Sequence, residues 1–387
     1  MSTFTVPVVR IEVIEPIEGA DAIELAVIGD YRSVIQKGQY NVGDLAVYIP
    51  EQAILPDDLI GGMGLTGKLA GSDHNRVKAV KLRGCLSQGI LYPVREFDGM
   101  TFILPVGETV ANAGNMVPVN EGVNVAEALG IVKWNPPIPV HLSGEVYNAS
   151  QRLTVSYDIE NFKQYPTILV EGEEVTFTEK LHGSFCGVGV LPRHDCDPMH
   201  YRGEFVVFSK GLGADGLCFK DNVMNQDNSY VRALEEGGIF DKLRAMRDEI
   251  ESEGDFDYPM FLLGEVYGGS IQSGFSYGDT PKFRMFDVVA GYRGDQHYFN
   301  VDAKQHLANH LEIDTVPLLY RGPFSKEVMY AYTEGMETVS GKETHIREGL
   351  VINPVDERYD LAIGRVILKS VSATYLLRKD KNATEYQ

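Results

Sequence analysis

The sequence predicts a mixed α+β protein of two domains, and three observations support this expectation. The chain has 387 residues, which is more than one domain usually contains. Up to about residue 120 it is a succession of short β-like runs separated by Gly, Asp, Asn and Pro turns. From about residue 150 strands mix with amphipathic helices in no regular βαβ rhythm, which favours antiparallel sheets over a doubly wound parallel sheet.

The first region, residues 1–122, has the pattern of a small closed β-barrel. Runs such as "AIELAVIGDY" and "DLAVYIP" are bounded by turn residues, as in "GADA" and "NVGD". Among such barrels the OB-fold is common in proteins that bind nucleic acid, so we expect an OB-fold nucleic-acid-binding domain here. Residues 123–150 contain a short helical pattern and then the proline cluster "NPPIP", which predicts a linker because proline disrupts regular structure.

The second predicted domain, residues 151–387, contains three helical patterns between its strands. One has an apolar face at helical spacing, formed by Phe240, Leu243, Met246 and Ile250. The other two are "NVDAKQHLANHL", with Asp302 near its start, and "SKEVMYAYTEGME", with Ser325 as the N-cap.

Composition restricts the possible classes of function. The formal net charge is −20, which argues against a protein that wraps duplex nucleic acid without selection, because such binding neutralises phosphates with Lys and Arg. A local basic groove is still possible, and "RVKAVKLRG" offers one without any acidic residue. Its candidate RNA-binding residues are Arg76, Lys78, Lys81 and Arg83. A solvated strand face that binds nothing explains this run equally well.

The sequence also favours a cytoplasmic, monomeric protein without a membrane span. The N-terminus lacks a basic segment followed by a continuous apolar core, and no run approaches the length of a membrane helix. The four cysteines lack CxxC spacing, so we expect reduced thiols.

The string "FTEKLHGSF" places Lys180 and His182 between two strand-like runs. A lysine becomes a nucleophile only when its amine is partly unprotonated, which nearby cations or a metal can achieve. Five further strings follow in order, each with a charged or aromatic residue in an apolar strand where an unpaired charge would be costly. They are "SKGLG" with Lys210, "GEVYG" with Glu265, "FRMFDV" with Phe286, "EGLVI" with Glu348 and "LKS" with Lys369.

In this order the six strings resemble the motifs of the covalent nucleotidyltransferases, which include ATP-dependent DNA and RNA ligases and messenger-RNA capping enzymes. The resemblance extends over residues 155–375, approximately. Only 18 residues follow Lys369, too few for the C-terminal OB domain expected of DNA ligases and capping enzymes. His182, where those enzymes have Asp, and the barrel-like domain in front are most similar to the Deinococcus radiodurans-type RNA ligase family.

This resemblance implies an ATP-dependent RNA ligase that seals 3′-OH and 5′-phosphate RNA ends, or nicks in a duplex containing RNA. Lys180 would form a lysyl-adenylate, and the AMP would then pass to the RNA 5′-phosphate. The ATP-binding residues that the resemblance implies are Glu179, His182, Lys210, Glu265, Phe286, Glu348 and Lys369. Glu265 and Glu348 would also hold Mg²⁺ (or Mn²⁺) through water. Ile367 replaces a lysine of many relatives, so either Lys369 suffices or Arg365 supplies the missing charge.

Three alternative interpretations stay open. An OB protein with an impaired ligase-like domain could bind RNA ends or ATP without catalysis. The string "GLGADG", residues 211–216, fits the dinucleotide-binding pattern, but a poor helix start follows it. The string "HDCDPMH" has His194, Cys196 and His200 close together, but structural zinc usually needs four well-spaced ligands.

Overall fold

The computed structural model of the protein describes residues 4–104, 116–134, 146–147, 151–210, 216–269, 271 and 275–378. The chain folds into two compact units, mainly residues 2–136 and residues 137–375. Its architecture is α+β, as the sequence predicted. None of the helices in the described residues is long and apolar enough to cross a membrane.

The first unit is built from short antiparallel strands. Its described strands are β1 Val8–Arg10, β2 Val13–Pro16, β3 Ile23–Ile28, β4 Tyr31–Gln36, β5 Leu45–Ile49, β6 Ala53–Ile54, β7 Val80–Leu82, β8 Cys85–Ser87, β9 Ile90–Pro93, β10 Arg95–Phe97, β11 Met100–Ile103, β12 Val117–Pro118 and β13 Val132–Lys133. A single turn-and-a-half helix, α1 Asp57–Gly62, lies between β6 and β7. The strands pair in the orders β1-β5-β9, β2-β3-β4 and β10-β11-β12.

The alternation expected of a half-buried sheet is clearest in β4. Tyr31, Ser33 and Ile35 are buried, whereas Arg32 and Gln36 are exposed. Successive strand residues point to opposite faces, so this pattern directs one face of the strand into the core. Tyr31 and Ile35 accordingly belong to a hydrophobic cluster of the first unit.

The segment 123–134, which the sequence analysis assigned to the linker, packs into the first unit. Val125, Leu129 and Ile131 belong to its hydrophobic core, and β13 pairs with β6. The short helical pattern forms turns instead of a helix. The proline cluster at 136–139 lies outside the described residues, and the predicted limits 1–122, 123–150 and 151–387 stay a proposal.

The second unit contains longer strands and most of the helices. Its described strands are β14 Val146–Tyr147, β15 Glu160–Asn161, β16 Glu174–Lys180, β17 Ser184–Val190, β18 Phe205–Ser209, β19 Leu217–Phe219, β20 Met260–Tyr267, β21 Lys282–Ala290, β22 His297–Tyr298, β23 Leu318–Pro323, β24 Gly349–Pro354, β25 Tyr359–Asp360, β26 Gly364–Arg365 and β27 Leu368–Val371. Its described helices are α2 Val223–Gln226, α3 Ser229–Glu236, α4 Ile239–Glu253, α5 Val301–His310, α6 Lys326–Thr333 and α7 Ala373–Leu376.

The three helices predicted from the sequence are confirmed as α4, α5 and α6. In α6 the Ser325 side chain accepts a hydrogen bond from the Val328 amide, as expected of an N-cap. In α5 the cap is Asn300, and Asp302 lies in the first turn, where negative charge is favourable.

Two sheets form the body of this unit. In the described residues the larger sheet has the strand order β14-β19-β18-β17-β20-β21-β22, and the smaller has the order β15-β27-β24-β16-β23. Helices α3 and α4 pack on the larger sheet through an apolar cluster that includes Leu234, Leu243 and Leu262. Helix α6 covers the smaller sheet through Met329, which packs with Phe177 and other buried residues.

The chain passes from the smaller sheet to the larger one between β16 and β17. Only Leu181, His182 and Gly183 separate the two strands. A Cβ atom at Gly183 would overlap the backbone oxygen of Val266 in β20, so this crossing requires glycine. The end of β16 and the start of β17 therefore lie at the junction of the two sheets.

Candidate active site

Lys180 and Glu348 are brought together by strand register at this junction. Lys180 is the last residue of β16 and lies opposite Gly349, the first residue of β24. Glu348 precedes Gly349 directly, and its Oε1 forms an ion pair with the Nζ of Lys180. The Lys180 side chain keeps 16% of its surface exposed, whereas Glu348 keeps 2%. The Lys180 side chain is therefore partly exposed while its partner is buried.

His182 is tied to the same carboxylate from the crossing segment. Its Nδ1 lies 3.1 Å from Oε2 of Glu348 and 2.9 Å from the hydroxyl oxygen of Tyr375. Its backbone amide donates a hydrogen bond of 3.3 Å to the Tyr277 hydroxyl, and its ring centre lies 4.2 Å from that of Phe275. In this structure His182 therefore contacts the partner of the candidate nucleophile.

Glu348 is strongly biased towards its ionised form. Burial alone would raise the pKa of its carboxyl, but the Lys180 ammonium and the His182 hydrogen bond outweigh burial and hold the pKa at about 2. Glu348 therefore carries a negative charge next to Lys180 at neutral pH.

Glu265 lies on β20, opposite Phe185 of β17, and its carboxyl favours the neutral form instead. Burial of the carboxyl by the surrounding protein raises the pKa of Glu265 to about 8, and the charge of Glu348 adds to this rise. Lys180, Lys210 and the Gly183 amide oppose the shift. Two neighbouring carboxyls with pKa values pushed apart are typical of catalytic sites.

Lys369 adds a buried cation from the neighbouring strand. It lies on β27 opposite Val351 of β24 and is 2% exposed. Burial lowers the pKa of Lys369 to about 7, against the attraction of Asp158, and the charges of Lys180 and Lys210 lower it further. The ammonium of Lys369 thus shares an electrostatic environment with the candidate nucleophile.

Lys210, at the end of the β18 run, is the more exposed cation of the group. Its Nζ lies 3.2 Å from Oδ1 of Asp158, and 40% of its side chain is exposed. The segment 211–215 that follows it lies outside the described residues, as does most of the "GLGADG" string.

Phe286 is presented by an irregularity in the larger sheet. Leu263 pairs with Asp287 but Gly264 pairs with Met285, so Phe286 is an extra residue in β21. Its ring stacks on Tyr157 at 5.2 Å between centroids and stays half-buried. Phe286 is therefore an aromatic residue of the larger sheet that is not fully buried.

Glu179 and Lys180 are consecutive in β16 and contact different groups, as expected where side chains alternate between faces. Oε2 of Glu179 accepts hydrogen bonds from the amide and the hydroxyl of Thr338, at 2.9 and 2.6 Å. Oε1 is buried and has no hydrogen bond within the described residues. Burial raises the pKa of Glu179, although Thr338 and Arg347 oppose the shift.

The sequence family of the chain decides what class of enzyme this arrangement belongs to. A family model for RNA ligases matches residues 173–371, just over half of the 387 residues. The chain belongs to the RNA ligase family. An OB-fold domain model matches residues 5–94, so the N-terminal unit has the predicted OB-fold. A comparison with curated protein sequences found no match.

Solved structures of a Naegleria gruberi RNA ligase have the same fold as this RNA ligase. A lysine-to-alanine mutant with ATP and Mn is 23% identical, with a TM-score of 0.71, and the match covers 96% of this chain and 98% of that one. The Naegleria enzyme with PPi is 24% identical, with a TM-score of 0.71 and coverage of 96% and 97%. A lysine-to-methionine mutant with AMP and Mn is 23% identical, with a TM-score of 0.72 and the same coverage.

Arg365 does not fit the role of a phosphate-binding substitute in this RNA ligase. Its guanidinium pairs with Asp287 and Glu357, and it lies 3.9 Å from the centre of the Tyr298 ring. Its side chain is only 8% exposed. Ile367 is 5% exposed and packs in an apolar cluster with residues of the larger sheet. Of the three residues Arg365, Ile367 and Lys369, Lys369 is thus the one that offers a cation to the site.

The basic residues 76–83 of the N-terminal unit differ in exposure to solvent. Arg76 is half-buried, with its guanidinium carbon 4.1 Å from the centre of the Trp134 ring, and Lys78 is also half-buried. Lys81 and Arg83 are exposed on the hairpin of β7 and β8. Arg83 and Gly84 form its two-residue turn, both with positive φ (48° and 87°), as a type I′ turn requires.

Three residues near the site were not predicted from the sequence: Asp158, Tyr375 and Thr338. Asp158 and Thr338 are polar residues in irregular segments between the recognised strings, so no periodic pattern marked them. Tyr375 follows the last string by a few residues in a short apolar turn. The only available signal was their proximity in sequence to a strand that carries a site residue.

The "HDCDPMH" segment lies between the neighbouring strands β17 and β18, as expected of a hairpin connection. His194 contacts the Tyr292 hydroxyl at 3.1 Å, and His200 contacts the Tyr147 hydroxyl at 2.6 Å. Within the described ranges, no group of three or more His, Cys, Asp or Glu residues is placed to hold a metal ion.

Proposed function

We propose that this protein is an ATP-dependent RNA ligase that joins 3′-OH and 5′-phosphate RNA ends or nicks through lysyl-adenylate and RNA-adenylate intermediates. The observation that carries the proposal is the accessible Lys180 at the sheet junction, paired with Glu348 and close to Lys369, in a chain of the RNA ligase family. Similarity to ligase structures that contain ATP, AMP or PPi supports the choice of nucleotide.

In the first step the Nζ of Lys180 would attack the α-phosphorus of ATP. A P–N bond forms, the P–O bond to pyrophosphate breaks, and the amine loses a proton. The AMP would then pass to an RNA 5′-phosphate, and an RNA 3′-hydroxyl would displace it to form the phosphodiester.

Each step places negative charge on non-bridging phosphate oxygens. Cations that are positioned in advance stabilise such charge strongly where water is excluded. Lys369, which is 2% exposed, interacts electrostatically with Lys180 and has a pKa of about 7. A phosphate at this site would restore its charged form, because a neighbouring anion raises the pKa of an ammonium. We assign the α-phosphate contact to Lys369 and a phosphate or ribose contact to Lys210.

The carboxylates fit Mg²⁺ (or Mn²⁺) as a partner of the nucleotide. Magnesium is usually held by one or two carboxylates, its own waters and substrate phosphates. Glu348 is ionised and pairs with Lys180 through Oε1, and Glu265 lies beside it. The ion would neutralise phosphate charge, and these two residues would hold it through water.

The purine would lie between the ring of Phe286 and the carboxyl of Glu179 in β16. The half-buried ring of Phe286 offers a stacking face, and the second oxygen of Glu179 could accept a hydrogen bond from the purine edge. Thr338 keeps the first oxygen occupied.

We propose the Deinococcus radiodurans-type branch of the RNA ligases for this chain. The order of its parts supports this assignment, since an OB-fold domain precedes the ligase domain. The OB unit would bind RNA through the stretch that contains Arg76, Lys78, Lys81 and Arg83. We also propose that the protein acts as a monomer in the cytoplasm. A sealing assay on nicks that differ only in the sugar of the 3′-OH strand would test the substrate assignment.

The direct test is incubation with α-labelled ATP and Mg²⁺, followed by denaturation. We expect the label to stay with the protein and to be lost in Lys180→Ala. Lys282→Ala, which removes an exposed lysine of the same unit, should label normally. Absence of label in the wild type would refute the ligase proposal and favour a protein that only binds RNA ends or ATP.

A further inference from the structure

We propose that Tyr375 is a positioning residue for the nucleophile. Its hydroxyl orients His182 so that the ion pair between Glu348 and Lys180 is maintained. This inference rests on the proposed function of Lys180. Tyr375 follows the last recognised string and is fully buried at 0% exposure. It acts on the site through another side chain, not through the nucleotide.

Nδ1 of His182 contacts the side chains of Tyr375 and Glu348, and Glu348 in turn contacts Lys180. Nδ1 of His182 lies 2.9 Å from the Tyr375 hydroxyl oxygen and 3.1 Å from Oε2 of Glu348, and Oε1 of the same carboxylate pairs with Lys180. The orientation of the imidazole therefore determines the position of the carboxylate that contacts the nucleophile.

The charge of Glu348 determines which atom carries the proton. A lone pair on Nδ1 that faced an ionised carboxylate would be repelled, so Nδ1 must carry the hydrogen. Its N–H is then shared between Oε2 of Glu348 and the hydroxyl oxygen of Tyr375, both as acceptors. Removing the hydroxyl would take away one of these two acceptors.

Aromatic packing restricts the same imidazole without fixing its tilt. The Phe275 ring lies 4.2 Å from the His182 ring at 48°, and the Tyr375 ring lies 5.5 Å away at 67°. These contacts prevent the ring from leaving the site, but they are not directional in the way that a hydrogen bond is. The hydroxyl supplies the directional contact.

Tyr375 is itself held by a network that reaches back to Glu348. Ser372 accepts a hydrogen bond from the Tyr375 amide at 3.1 Å, and its amide donates to the backbone oxygen of Glu348 at 2.9 Å. Glu334 accepts from the Ser372 hydroxyl and from the Ala373 amide, each at 2.7 Å. The start of α7 is therefore fixed relative to the carboxylate that Tyr375 helps to orient.

The test is Tyr375→Phe, which removes the hydroxyl and keeps the ring. Single-turnover formation of the protein–AMP adduct should be measured against ATP concentration. We expect the maximal rate to fall about tenfold, the cost of one hydrogen bond, with the half-saturating ATP concentration changed less than about twofold. The matched control is Tyr201→Phe, which loses a hydroxyl that donates to Glu235 at 2.8 Å and should adenylate at the wild-type rate.

A double variant shows whether the hydroxyl acts through His182. In the His182→Leu background, which lacks a side-chain donor, adding Tyr375→Phe should produce no further loss of rate. An undiminished rate in Tyr375→Phe, an equal loss in both backgrounds, or a loss confined to half-saturation by ATP would each overturn the inference.

A spectroscopic measurement on the wild type covers the case in which Tyr375→Phe fails to fold. The ¹⁵N spectrum of histidine-labelled protein, assigned with His182→Asn, should show a proton on Nδ1 of His182. A neutral ring protonated only at Nε2 would overturn the inference. If the wild type forms no adduct, the proposed function fails. If it forms the adduct but Tyr375→Phe matches its rate, only the role of Tyr375 fails.

Discussion

The two groups of basic residues in this protein differ sharply in their surroundings. In the ligase domain Lys180 and Lys369 lie at a junction of two sheets, largely buried and close to Glu348. In the OB-fold unit Lys81 and Arg83 project from a hairpin into solvent.

This difference shows which charges a sequence can reveal. A buried charge is costly without compensation, so a lysine in an apolar strand indicates that a partner or a ligand is nearby. An exposed charge costs little, and its presence in a basic run says little about function. The comparison predicts large, specific effects in the junction and small, salt-dependent effects on the hairpin.

The largest effect is expected for Lys369→Met. Loss of a preorganised cation should lower the rate of adduct formation about 1,000-fold. The melting temperature should not fall, because methionine replaces a buried ammonium whose pKa is lowered to about 7 by burial. Rate measurements and thermal unfolding check both parts. A variant that adenylates normally would remove Lys369 from the site.

Introducing a lysine at Ile367 tests whether a second cation can be accommodated there. Ile367 is 5% exposed within an apolar cluster, so Ile367→Lys should destabilise the protein by about 3 kcal/mol and give no gain in adenylation. Ile367→Val is the size-reducing control and should cost about 1 kcal/mol. Faster adenylation by the lysine variant would show that the position faces the phosphates after all.

Glu337 provides a buried charge that is satisfied by hydrogen bonds instead of cations. Burial would raise its pKa, but the Ser340 and Thr344 side chains and amides donate to it and hold the pKa at about 2. A carboxyl with a lowered folded-state pKa contributes stability above about pH 4.5, and loses it as the pH falls towards 2. The wild type should lose unfolding free energy between about pH 4.5 and pH 2, and Glu337→Gln should reduce this loss by on the order of 2 kcal/mol. Chemical denaturation at several pH values measures it, and identical pH profiles would contradict the assignment.

The smallest effect is expected on the hairpin. Changing both Lys81 and Arg83 to alanine should leave adenylation within about twofold of wild type. RNA sealing should weaken several-fold, and the dependence of log affinity on log salt should decrease in slope by about 2. The control is Lys37→Ala, another exposed lysine of the same unit. An unchanged salt slope would favour the interpretation of this run as a solvated strand face.

The sequence contained enough to predict the fold class and to select Lys180 and Glu348, which meet at the junction. Strand-like runs, turn residues and apolar helix faces are local properties, and they predicted β3, β5, α4 and α6 correctly. The role of the segment 123–134 was missed, because the core into which Val125 and Leu129 pack is formed by residues far away in the chain.

The contacts of individual site residues were harder to predict for the same reason. The sequence could not show that Arg365 forms ion pairs with Asp287 and Glu357. The pair with Asp287 joins β21 and β26, which are far apart in the sequence. Nor could the sequence show that Tyr375 contacts His182, since an aromatic residue in a short apolar segment usually belongs to the core. Long-range contacts decide these roles, and local pattern does not record them.

The central claim is that Lys180 is the residue that becomes adenylated. Incubation of the protein with ATP and Mg²⁺, followed by proteolysis and tandem mass spectrometry under conditions that preserve phosphoramidates, tests it most directly. We expect AMP on the peptide that contains "FTEKLHG", attached to Lys180 and to no other lysine. An adduct on Lys210 or Lys369, or no adduct on any lysine, would contradict it.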